Sequence, residues 1–161
     1  MDPVIAPSVA LYSVNNRLFD KALDGLSREQ LLQGVSESSN PLLWIAGHVA
    51  NTRYGLSAML GQRAHRPWGD IFNRSAARPS AEAYPDLAVI RAAWNEVTAG
   101  LMARFEELSE AELSAPTPRP LPTPDRSIRG AIAFFAYHEG YHLGQMAYIR
   151  KWLGFPGLVD G

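Results

Sequence analysis

His138 and His142 stand four residues apart in the stretch YHEGYHLGQ (residues 137–145), with Glu139 beside the first of them. The segment HEGYH matches the H-E-x-x-H pattern, in which two imidazoles on one helix face bind zinc and the glutamate serves as general base toward metal-bound water. On a helix the two rings lie about 40° apart and one turn above each other, so both can reach one ion. A peptidase needs more than this. The 19 residues after His142 contain neither histidine nor glutamate, so no third ligand of the usual kind follows downstream. The extended metalloprotease pattern wants glycine three residues after the second histidine and histidine three further on. This chain has Gln145 and Tyr148 at those places.

A third ligand is available upstream. His48 lies in PLLWIAGHVANTRYGLSAML (residues 41–60), clustered with Ile45, Val49, Thr52, Leu56 and Met59 at helical spacing and flanked by Trp44. His138 and His142 share a stripe with Ala131, Phe135, Met146, Ile149 and Leu153, opposite a face of Arg129, Gly140, Gly144 and Lys151. Three of the four histidines thus occupy expected core positions, and only His65 falls in a loop. A lone imidazole on an apolar face is ordinarily a core residue with its nitrogens hydrogen-bonded, because burial without partners is costly. That reading suffices for His48 alone. Three in one core would need three separate polar solutions, and a shared metal ion satisfies them together. Three neutral nitrogen ligands leave positions open for water or substrate, as in catalytic zinc sites. Imidazole also suits nickel, copper and iron. Glu139 falls about 80° from the mean direction of the two histidines, at the edge of the apolar stripe. A base, a partly exposed glutamate and a partner orienting an imidazole are all compatible with that place.

The elements that must position these residues are helical. One helix is expected over 8–24, with Val9, Tyr12, Leu18, Phe19, Ala22 and Leu23 on its apolar face, then a short turn with a capping box from Ser27 to Gln30. A second begins at Asn40-Pro41 and stops at Gly61, a third runs over 86–108, and the last over 127–153 with Gly154 as its stop. Between the second and third lies a long loop, residues 61–80, carrying Arg63, Arg66, Trp68, Phe72 and Arg74, which reads as a lid over an anionic small molecule or as a solvated surface loop. The run APTPRPLPTPD (115–125) reads as a stiff connector. Four amphipathic helices in one domain suggest an all-α four-helix bundle spanning residues 1–161.

Composition narrows the partners. A net charge of −1 without long charge runs gives no electrostatic grip on nucleic acid. No apolar run approaches the ~20 residues needed to span a bilayer, and the N-terminus lacks a signal-peptide pattern. The expectation is a cytoplasmic domain acting on a small-molecule substrate. Cysteine is absent, so any thiol chemistry must use a thiol from outside the chain.

HEGYHLGQMAYIRKWLG (138–154) resembles the last helix of the DinB/YfiT-like superfamily, with its H-x3-H-x-G-Q motif, and PLLWIAGHVA (41–50) resembles that family's second helix. The helices are expected in up-down-up-down order, and the resemblance implies a four-helix bundle of DinB type with one divalent metal ion, zinc or nickel, held by His48, His138 and His142. It further implies a homodimer and a metal-dependent enzyme transferring or using a low-molecular-weight thiol such as bacillithiol or mycothiol. The alternatives are a non-catalytic or stress-response metal-binding bundle, and a metal-dependent hydrolase with Glu139 as catalytic base.

Overall fold

Helix ends in this chain follow local cap chemistry closely. The computed structural model describes residues 1–63, 65–73 and 79–159. Six α-helices occur among them: α1 (Ala6–Leu23), α2 (Arg28–Leu31), α3 (Leu42–Met59), α4 (Leu87–Glu107), α5 (Glu110–Ser114) and α6 (Ile128–Trp152). Ser27 accepts from the Gln30 amide and Gln30 answers through its side chain, the expected capping box. Ser109 and Glu112 form a second box ahead of α5, and Ser127 caps α6 by accepting from the Gly130 amide. Gly61 and Gly154 take φ of +81° and +87°, the left-handed turns that end α3 and α6. α3 begins one residue later than expected, with Pro41 itself in the extended cap position at ψ 161°.

The four long helices form the bundle, but their directions differ from the expected up-down-up-down order. On α1, Tyr12 donates to the Ile132 carbonyl and Asn15 to the Ala136 carbonyl, while Arg150 reaches back to Ala22 and Asp24. Residue numbers rise together, so α1 and α6 are parallel. Phe19 stacks on Trp94 and Tyr12 meets Phe105, so α1 and α4 are antiparallel. Tyr54 donates to the Ala93 carbonyl near the start of α4, and Arg104 donates to the Leu60 carbonyl near its end, so α3 and α4 are parallel. The order is up-down-down-up. Its physical basis is the link 60–86, which is long enough to return along the whole of α3 before α4 begins. Loop length permitted this where periodicity alone could not foresee it.

That returning link also explains why α3 is buried on nearly every side rather than along one stripe. Trp68, Phe72 and Tyr84 are buried in the link and pack over the outer face of α3. Phe72 lies so close to Gly47 that a Cβ there would sit 2.2 Å from its ring. Among the described residues of the crossover, these three aromatics complete the core while most of their neighbours face solvent. Arg63 and Arg66 remain exposed, and Arg74 lies outside the described residues. The proline-rich connector is pinned at its base, where Thr117 N–H donates to the Arg126 carbonyl at 2.8 Å and Ile128 N–H to the Ala115 carbonyl at 2.9 Å. No described helix is long and apolar enough to cross a membrane.

Candidate metal centre

α3 and α6 run antiparallel and bring His48, His138 and His142 to one place. One ring nitrogen from each lies within 4.8 Å of the others. The Nε2 atoms of His138 and His142 are 3.2 Å apart. Two nitrogens sharing a tetrahedral ion at bond lengths of 2.0–2.1 Å would be separated by about 3.3 Å.

Two of the rings are oriented by fixed acceptors. His48 Nδ1 lies 2.8 Å from the Phe72 carbonyl oxygen. A carbonyl only accepts, so Nδ1 carries the proton and Nε2 keeps its lone pair. The His48 ring also stacks on Trp44, with centroids 4.8 Å apart and planes 8° from parallel. His142 Nδ1 lies 2.7 Å from Gln145 Oε1, and Gln145 Nε2 donates to the Tyr141 hydroxyl at 3.2 Å. His142 is thus also held with its Nε2 lone pair facing the group. Such acceptors behind imidazoles are characteristic of metal-binding histidines. This gives Gln145 of the HxxxHxGQ motif a role. Gly144, by contrast, has open space among the described residues where a Cβ would lie.

Burial differs from the sequence expectation in an informative way. His48 is buried, but His138 and His142 are only half-buried and line a cavity of about 380 Å³ with Trp44, Phe134, Tyr141 and Gln145. α6 packs against both α1 and α3, so its buried face is centred between them. The two histidines consequently fall on the α3-side rim, accessible from outside.

Glu139 takes the central place instead. It is 1% exposed, neither partly exposed nor at the edge of the packed face. Arg53 Nε donates to one carboxylate oxygen at 2.6 Å and Nη2 to the other at 2.8 Å, while Asn15 Nδ2 donates to the second at 3.1 Å. Arg53 also donates to Asn16 at 2.6 Å and to Thr98, and its guanidinium carbon lies 3.6 Å from the Trp94 ring centroid. Each of the four long helices contributes to this cluster. Nearby, burial first and the Glu139 charge second push the Tyr12 phenol well above its ordinary pKa, keeping it a donor to Ile132. The partner of Glu139 is therefore a guanidinium, not an imidazole.

Arg53 carries no prominence in the motif reading, yet a signal for it exists. It is the one formal charge in the α3 sequence, and Glu139 is the one acid in the α6 sequence. Isolated opposite charges on two core helices are the pattern of a buried pair.

Comparison with known proteins agrees with this architecture. The family model described as the DinB superfamily matches residues 11–146. The structure is similar to that of YfiT from Bacillus subtilis, with a TM-score of 0.68 at 13% identity, covering 93% of this chain and 87% of that one. YfiT is described as a probable metal-dependent hydrolase with an unusual four-helix bundle topology. No curated protein matches the sequence.

Proposed function

Since the chain belongs to the DinB superfamily, we propose that His48, His138 and His142 hold one divalent metal ion, zinc or nickel, in a metal-dependent enzyme that uses a small-molecule thiol. The observation that carries this reading is the convergence of three imidazole nitrogens within 4.8 Å at the wall of an accessible cavity. When bound, such an ion supplies Lewis acidity and lowers the pKa of a coordinated thiol or water. The chain's own residues hold the His48 and His142 imidazoles in the ligating tautomer through Phe72 and Gln145, and present Trp44, Phe134 and Tyr141 as apolar walls for an organic substrate. Because cysteine is absent, the thiol comes from outside, and the cytoplasm is the compartment that keeps such thiols reduced. An exposed aromatic row on α6, Tyr137, Tyr141, Tyr148 and Trp152, supports a homodimer through that face.

Hydrolysis is the second reading, favoured by the description of YfiT. It shares the metal centre but gains no support for Glu139 as base, since both carboxylate oxygens are engaged in the core. Metal-free protein, prepared without a histidine tag, should take up one Co²⁺ per chain with a visible absorption band. Wild-type uptake by the double variant His138→Ala, His142→Ala would overturn the site. Turnover of an aryl halide only when a small thiol is added supports transfer, whereas ester hydrolysis without thiol supports the second reading.

A further inference from the structure

A second and larger cavity, about 790 Å³, shares His48 with the first. Its floor is one stripe of α3, in which His48, Asn51, Thr52 and Gly55 recur at helical spacing. Gly55 keeps that floor low: a Cβ added there would meet only Arg119 Nη2, at 3.9 Å. Two guanidinium groups wall the space. Arg66 comes from the crossover, and Arg119 comes from the proline-rich connector whose base is pinned beside α6. Arg66 Nη1 donates to Asn51 Oδ1 at 3.2 Å, and Asn51 Nδ2 donates to Asn73 Oδ1 at 3.0 Å.

The charge balance of this cavity is one-sided. Among the described residues no carboxylate lines it, and the acid reached through the hydrogen-bond chain is Asp70, which accepts from Asn73 on the far side. Arg28, Arg53, Arg91, Arg104 and Arg129 each form an ion pair; Arg66 and Arg119, like Arg17, Arg63, Arg126 and Arg150, form none among the described residues. Two segments distant in sequence thus deliver a guanidinium each to a polar space bordered by a candidate metal ligand. Guanidinium groups recognise carboxylate and phosphate oxygens through paired, charge-assisted donors. We propose that this cavity binds the anionic end, carboxylate or phosphate, of the molecule whose reactive atom meets the three histidines. The assignment rests on the metal-site reading for the second half of that sentence. The anion site itself stands on Arg66, Arg119 and the α3 stripe. It also gives the proline-rich connector a task, since a stiff loop holds Arg119 over α3 at little entropic cost.

Metal-free full-length protein is titrated with inorganic phosphate and, separately, with succinate at constant ionic strength, while amide and arginine Nε–H resonances are followed by NMR. The expected result is saturable shifts at Asn51, Thr52 and Gly55 and at the Arg66 and Arg119 side chains with at least one of the anions. Saturation by phosphate alone identifies a phosphate ligand, by succinate alone a carboxylate ligand, and by both a site for either oxyanion. Arg66→Gln, Arg119→Gln together should weaken binding by about tenfold or more, since each removes a charge-assisted donor pair. Both side chains are exposed, so the double variant should keep the wild-type amide spectrum elsewhere. Absence of saturable shifts with either anion, or wild-type affinity in the double variant, would overturn the proposal. A parallel Co²⁺ titration separates the two ideas. Retained Co²⁺ uptake with no anion binding defeats the anion site alone, and saturable anion binding without Co²⁺ uptake defeats the metal reading alone.

Discussion

Replacing Arg53 with methionine tests how the four helices are held in register. The substitution keeps much of the apolar stem but removes the guanidinium that donates to both oxygens of Glu139 and lies over Trp94. Glu139 would then keep one donor, Asn15 at 3.1 Å. Both charged side chains are 1% exposed, so water cannot replace the lost donors without opening the core. Leaving one member of such a pair uncompensated costs about 3–5 kcal/mol. For a chain of this size each kcal/mol corresponds to about 2–4 °C, so the melting temperature should fall by roughly 6–20 °C. Glu139→Gln should be milder, about 1.5–3 kcal/mol, because Arg53 keeps Asn16, Thr98 and the Trp94 ring. Combining the two in Arg53→Met, Glu139→Gln should cost clearly less than the two single losses added together. The assay is urea unfolding of metal-free protein followed by circular dichroism; urea is uncharged and does not screen the pair. A loss below about 1 kcal/mol in Arg53→Met, or strict additivity in the double variant, would refute the reasoning and leave apolar packing alone to set the register. A general-base role predicts the opposite pattern for Glu139→Gln, with unchanged unfolding and abolished turnover.

Gly47→Ala should destabilise by about 1–3 kcal/mol in the same assay despite its better helix propensity, because its Cβ would meet the Phe72 ring at 2.2 Å. Gly55→Ala, whose Cβ meets only Arg119 at 3.9 Å, should instead stabilise by about 0.5–1 kcal/mol. Gln145→Leu removes the acceptor behind His142 and should weaken Co²⁺ affinity about 10–100-fold with little change in unfolding. The Glu112 carboxyl is held at about 2, against an ordinary 4.5, by the Ser109 amide first, then the Ser109 hydroxyl and Arg104. Its folded pKa is depressed, so the stability it contributes is present above pH 4.5 and lost as pH falls through about 2. The deficit of Glu112→Gln relative to wild type should therefore shrink between those pH values in acid unfolding curves.

How much of this was legible depends on which interactions are local. Helix ends are set by residues within a few positions of each other, and so Ser27–Gln30, Ser127, Gly61 and Gly154 mark them in sequence. The box at Ser109–Glu112 carries the same signature, but its helix is only five residues long and lies between a longer helix and a proline run that dominate the pattern. Helix direction is not local. Periodicity tells which side of α3 is apolar, not that the crossover will return over its outer side and seat Phe72 on Gly47. The histidine cluster was legible because spacing within α6 and apolar context in α3 pointed to the same three residues. Their exchange of places with Glu139, rim for core, was not. A residue's angle on one helix does not reveal that α6 is wedged between two neighbours, or that the only acid on it faces the only formal charge on α3.

The parallel pairing of α1 with α6 has a mechanical consequence. The free end of α1 and the free end of α6 lie at opposite ends of the bundle, separated by roughly the length of a 25-residue helix, about 37 Å. Force applied through the two termini would slide α1 lengthwise against α6. The Tyr12, Asn15 and Arg150 contacts would then bear the load together instead of opening one after another. An antiparallel neighbour pulled from adjacent ends would unzip. In a single-molecule pulling experiment this bundle should therefore yield in one abrupt step, with α1 and α6 parting as a unit.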